Sequence, residues 1–148
     1  MSRRSRLRLV SGTRCNWSCA TSTGSSPSSS RIVIASCALI AGYVEVEDRA
    51  FISGGVVVHQ FSKIGSLAMI GGNTRVNLDV PPFFLYSGFD VEPVALNVVG
   101  LRRNGYTATQ VAALKKAYRL LYKSGLKLDE ALARIEAELP DENCRHLV

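Results

Sequence analysis

From Ile34 to Val76 a β-branched aliphatic recurs at every sixth residue, as Ile34, Ile40, Val46, Ile52, Val58, Ile64, Ile70 and Val76, without a miss. Neither common local structure repeats this way, because an amphipathic helix returns its apolar residues every third or fourth position and a half-buried strand every second. The neighbours fall into rows as well. The residue after each aliphatic is mostly small or polar (Ala35, Ala41, Glu47, Ser53, His59, Gly65, Gly71, Asn77). The residue two before it forms a second row, Ile32, Ala38, Val44, Ala50, Val56, Ser62, Ala68 and Thr74.

A hexapeptide period marks a parallel β-helix, in which short strands meet at tight corners and each coil stacks on the last. Three hexads make one triangular coil. Each inward aliphatic then lies over the one about 18 residues along, with strands about 4.8 Å apart. The narrow prism is expected to take one aliphatic per wall, with the small neighbours letting the chain turn. A sandwich of short strands would instead alternate with period two and turn at variable lengths. The expected fold is a left-handed parallel β-helix followed by a small α-helical domain, with a disordered N-terminal tail.

Three regions follow from the composition. Residues 1–31 hold six arginines, many serines and no acid, a composition expected to stay disordered. It also fits an organellar transit peptide, or a stretch foreign to the original fold. Residues 32–82 are the β-helix, expected to close at Asp79-Val80-Pro81-Pro82, where two prolines remove ladder donors. An exposed first coil needs a cap. Residues 83–148 begin with a linker, FFLYSGFDVEPVALN, and then change period. Thr107-Ala108-Thr109-Gln110 reads as a capping box. Val111, Leu114, Tyr118 and Leu121 share one face of the helix it opens, and Gly125 suits its stop. A second helix is expected from Asp129, with Leu132, Ile135 and Leu139 as its apolar stripe and Pro140 as its end. The pair is expected to pack on itself and on a neighbouring subunit's coil end.

The net charge of +6 lies wholly in the tail, because residues 32–148 balance twelve Lys or Arg against twelve Asp or Glu. The folded part therefore offers no basic face for nucleic acid. No apolar run approaches the roughly 20 residues that cross a bilayer. Cys15, Cys19, Cys37 and Cys144 lack the spacing of a zinc site and read as free thiols, in a cytoplasmic setting.

The strings GGVVVHQFSKIGSLAMIGGNTRVNLDVPPF, NVVGLRRNGY and AYRLLYKSGLKLDEAL closely resemble the UDP-N-acetylglucosamine O-acyltransferase family that opens lipid A synthesis, from about Arg31 to Leu139. The resemblance implies a cytoplasmic homotrimer that moves a 3-hydroxyacyl chain from acyl carrier protein to the sugar 3-hydroxyl. Sites lie between subunits, and neither a metal nor a cofactor is needed beyond the carrier's phosphopantetheine thioester. In that family an imidazole is the general base and a backbone amide stabilises the oxyanion.

Residue by residue, the resemblance makes Gly42 the oxyanion amide, and Tyr43 stands where the family usually has histidine. His59 and Gln60 match the VHQF pair of the substrate cleft, and Gly72 matches a position that limits acyl length. Asn97 and Arg103 match nucleotide contacts, with Arg102 alongside; Asn104 stands where a second arginine is common, and Val99 where a glutamate is. The family's base lies in a coil before the segment that matches Arg31 onward. Residues 1–30 contain no histidine. Two expectations follow: acyl transfer as in the family, or a catalytically inactive remnant that trimerises or binds nucleotide. The β-helical carbonic anhydrases need three zinc histidines, and this chain has two.

Overall fold

The computed structural model describes residues 6–9, 31–89, 91–139 and 141–147. Most of the expected tail, with Cys15 and Cys19, lies outside the described residues.

The hexads form a three-walled parallel β-helix, as their period requires. The first coil is β2 (Val33–Ile34), β3 (Leu39–Ile40) and β4 (Val44–Glu47). The second is β5 (Phe51–Ile52), β6 (Val57–Val58) and β7 (Lys63–Ile64). The third opens with β8 (Met69–Ile70) and β9 (Arg75–Val76). Stacking is in register by whole coils: Val33 pairs with Phe51 and Phe51 with Met69, Leu39 with Val57 and Val57 with Arg75, and Glu45 with Lys63. The walls are thus β2-β5-β8, β3-β6-β9 and β4-β7.

Both apolar rows point inward. Ile52, Val58, Ile64, Ile70 and Val76 are at most 1% exposed, and so are Val44, Ala50, Val56, Ala68 and Thr74 of the second row. Each hexad therefore buries two side chains rather than one. A fully buried Val or Ile contributes about 1.5–3 kcal/mol, so this column is the fold's main stabilising element. At the first coil Ile34 and Ile40 are only partly buried, because among the described residues no further coil stacks on their outer side.

The corners turn at a position that the rows do not mark. The third residue after each inward aliphatic from Ile34 to Ile70 has positive φ: Cys37, Tyr43, Arg49, Gly55, Phe61, Leu67 and Asn73, all between 56° and 70°. A non-glycine residue there costs roughly 1–2 kcal/mol, a strain that the ladder on both sides holds. The small residue next to the aliphatic does not turn. Its amide still bonds to the next coil, as Ala35 N–H does to Ile52 O (2.8 Å) and Ala41 N–H to Val58 O (3.0 Å).

The prolines do not close the stack. Val80 still bridges Ile64 in parallel, with Val80 N–H donating to Lys63 O at 2.7 Å. Pro81 and Pro82 occupy the corner that follows, where no ladder donor is needed. The expected linker is likewise structured. Phe84–Ser87 (β10) pairs in parallel with β8 and turns back as an antiparallel hairpin with Glu92–Leu96 (β11). Phe84, Tyr86 and Leu96 are buried, an alternation too short to stand out beside the six-residue period.

One strand is described within the tail. Arg6–Leu9 (β1) pairs antiparallel with β4 along its outer edge. An uncovered edge is a row of unpaired N–H and C=O groups, and the first coil's edge accepts a strand for that reason.

The C-terminal part is helical, as expected, with two additional helices: α1 (Val98–Arg103) and α4 (Glu142–Arg145) flank α2 (Ala108–Tyr122) and α3 (Leu128–Glu138). The capping box forms, with Gln110 N–H donating to Thr107 Oγ1 and Thr107 N–H to Gln110 Oε1. Helix α3 starts one residue before Asp129, whose charge suits the first turn. It ends at Glu138, and Pro140 lies outside the described residues. Helix α2 packs on its own chain's hairpin. Tyr118 Oη donates toward the carbonyls of Pro93 and Val94 (3.0 and 2.9 Å), and Phe84 lies against Tyr118 and Tyr122.

Candidate functional site

The residues singled out in the sequence fall on three different edges of the prism. Gly42, Tyr43, His59 and Gln60 share the edge between the β3 and β4 walls. Their corners stack: Phe61 N–H donates to Gly42 O at 3.3 Å, and the rings of Tyr43 and Phe61 lie 5.3 Å apart, nearly parallel. His59 and Gln60 are exposed, and the His59 Nδ1 sits 3.1 Å from the Gln60 carbonyl. Gly72 lies on the next edge, stacked over Gly54, where a Cβ would come 3.4 Å from the Gly54 carbonyl oxygen. It leaves a smooth, shallow corner.

Asn97 belongs to the third edge. It caps α1 by accepting from Gly100 N–H (2.9 Å), while its Nδ2 donates to the Leu67 carbonyl (2.9 Å), so one amide fixes the helix to a solenoid corner. This is a structural duty that the resemblance does not indicate. Arg102 and Arg103 emerge from the last turn of α1 and are exposed. Asn104 caps the same helix, its Nδ2 donating to Gly100 O at 2.7 Å. Val99 is exposed.

One wall is unusually apolar for an outer face. Leu39 (65% exposed) and Val57 (45%) project from β3 and β6, next to the corner of Tyr43 and Phe61. Sequence reading missed a further pair on the third edge. His146 Nε2 lies 3.1 Å from Glu47 Oε2, which also accepts from Ser66 N–H at 3.1 Å. The pair lines a cavity of about 270 Å³ with Phe83, Tyr106 and Asn143. No local signal could have joined residues 99 apart. Both described cysteines are free; Cys37 is exposed, and burial, then Asp141, pushes the thiol of buried Cys144 upward. Among the described residues no helix is long and apolar enough to cross a membrane.

A parallel β-helix with left-handed corners every six residues, followed by a compact helical domain carrying arginines, defines a hexapeptide-repeat protein of the left-handed β-helix class. The family described as "Udp N-acetylglucosamine O-acyltransferase; Domain 2" matches residues 79–148. An acyl carrier protein–UDP-N-acetylglucosamine O-acyltransferase of Burkholderia orbicola is 45% identical over 104 residues, covering 70% of this chain. One from Gloeothece citriformis is 40% identical over 116 residues, covering 78%. The chain spans 40% and 42% of those two relatives' lengths. Among solved structures, the UDP-N-acetylglucosamine acyltransferase of Bacteroides fragilis superposes with a TM-score of 0.76 at 32% identity, covering 78% of this chain and 46% of that one. The Arabidopsis enzyme gives 0.75 at 37%, covering 79% and 43%. The chain is thus similar to the C-terminal part of these acyltransferases, and its residues 79–148 match the second domain of that family.

Proposed function

We propose that the chain serves the family's reaction, transfer of a 3-hydroxyacyl group from acyl carrier protein to the 3-hydroxyl of UDP-N-acetylglucosamine in lipid A synthesis. It does so by supplying the sugar-nucleotide half of sites shared between three copies. The observation that carries this reading is the distribution of the site residues. Gly42, His59 and Gln60 stand on one edge of the prism, Gly72 on a second, and Asn97 with Arg102 and Arg103 on a third. Edges of one triangular prism face away from each other, so a single chain cannot close them around one ligand; edges of neighbouring prisms can. The exposed Leu39 and Val57 wall is the apolar surface such a trimer would bury.

Within the site, Gly42 N–H is the oxyanion donor, and the guanidiniums of Arg102 and Arg103 suit the nucleotide's phosphates. Helix α2 contains no acid and exposes Lys115 and Arg119, with Lys123 at its cap, which suits a donor with a phosphorylated prosthetic arm. A second reading, a trimerising module that binds nucleotide without turnover, is favoured by the imidazoles. The chain has two; His146 pairs with Glu47 on the edge away from Gly42, and His59 sits at the position matching a different role.

Light scattering, calorimetry with UDP-N-acetylglucosamine and an acyl-transfer assay decide between these. A trimer that binds the sugar nucleotide, with affinity reduced at least tenfold in Arg103→Ala, supports the shared site. Turnover abolished by His59→Ala would make this chain a complete catalyst, and binding without turnover would make it the module. A monomer that does not bind the nucleotide overturns both readings.

A further inference from the structure

Helix α1 is six residues long, and a helix so short does not hold its own direction in water. Its ends must supply it. At the first end Asn97 Oδ1 accepts from Gly100 N–H at 2.9 Å, while Asn97 Nδ2 donates to the Leu67 carbonyl of the solenoid corner at 2.9 Å. At the other end Asn104 Nδ2 donates to Gly100 O at 2.7 Å, and Asn104 N–H donates to the same oxygen at 3.1 Å. Two asparagine amides thus close on the two polar groups of one glycine. A Cβ at Gly100 would come 2.4 Å from Asn97 Nδ2, so the clasp requires glycine there.

The clasp lies on the held side of the helix. Leu101 is fully buried, and Asn97, Gly100 and Asn104 are half-buried, whereas Val99, Arg102 and Arg103 are exposed. The backbone already stops the helix without the Asn104 side chain. Gly105, at φ +80°, donates its N–H to Arg102 O, and Tyr106 N–H donates to Leu101 O, both at 3.1 Å. The side-chain bond of Asn104 is additional to that stop, and it braces the turn that carries the two arginines.

Resting on the sugar-nucleotide reading above, we propose that Asn104 is a positioning residue: with Asn97 and Gly100 it ties the last turn of α1 to the Leu67 corner and so aims Arg103 at the nucleotide's phosphates, without touching them itself. A guanidinium binds phosphate through a fork of fixed geometry, so its direction matters more than that of the ammonium of a lysine.

Calorimetry on the full chain with UDP as the probe tests this through a cycle of Asn104→Ala and Arg103→Lys. Asn104→Ala alone should weaken binding roughly threefold or more, and less than about twofold once a flexible lysine has replaced Arg103. Asn104→Ser, whose hydroxyl can donate to the same carbonyl four residues back, should recover much of the loss. A wild-type chain that does not bind UDP overturns the sugar-nucleotide reading and the positioning role together. Wild-type binding that Asn104→Ala leaves unchanged overturns the positioning role alone, as does an equal loss in both backgrounds, which would make Asn104 a direct contact. Failure of Asn104→Ser to recover any binding overturns it as well.

Discussion

Tyr43 and Phe61, one coil apart on the same edge, stack with ring centroids 5.3 Å apart and planes 14° from parallel, although both are exposed and both hold φ near +60°. Two residues strained by the corner thus support each other. An aromatic pair of this kind contributes about 0.5–1.5 kcal/mol beyond its buried area. Phe61→Ala should therefore lower the melting temperature by about 2–4 °C for a chain of this size, as read by scanning calorimetry. Phe61→Leu should recover part of the loss. An unchanged melting temperature in Phe61→Ala would show that the corner holds without the stack.

Position along the prism should set the cost of hollowing it. Ile52 is fully buried between Ile34 and Ile70, whereas Ile34 at the open end is only partly covered. Ile52→Ala should cost about 2–5 kcal/mol and Ile34→Ala clearly less. Urea titration of both variants measures the difference. Equal losses would mean that something covers the first coil as fully as the second coil is covered.

Asn97 distinguishes its two bonds by substitution. Asn97→Asp keeps an oxygen for Gly100 N–H but sets a carboxylate against the Leu67 carbonyl in place of a donor. The unsatisfied contact should cost about 1–3 kcal/mol, visible as a shifted urea midpoint. A neutral outcome would show that the cap alone matters.

Alkaline stability should depend on the tyrosine cluster. Burial, then the hydrogen bond with Tyr122 at 3.2 Å, pushes the Tyr86 phenol well above its ordinary range, and burial raises Tyr122 too. A folded-state value above the unfolded one, about 10, means that the folded chain holds the proton more tightly. The stabilisation is complete below pH about 10 and is lost as pH rises further. Tyr86→Phe should flatten that decline between about pH 10 and 12. It should also cost about 1 kcal/mol at neutral pH, through the partner lost to Tyr122. Denaturant titration at each pH checks both. An identical alkaline slope in the variant would place the sensitive group elsewhere.

The period of six was sufficient to give the solenoid, because an inward position repeated at fixed spacing admits one coil geometry, and Thr107 with Gln110 announced α2 through purely local hydrogen bonds. The family's words marked Gly42, His59 and Arg103 one by one. What they could not give was the division of those residues among three edges, since that depends on how many residues fill a coil and which wall each corner leaves. Tertiary pairing alone decided that Arg6–Leu9 lies on β4, that Val80 continues the ladder past its prolines, and that Glu47 meets His146. In each case the partners are far apart in sequence and the deciding interaction is an edge, a corner or a charge that exists only once the coils have stacked. Local periodicity fixes what one turn of chain must bury; long-range pairing fixes what its exposed edges meet.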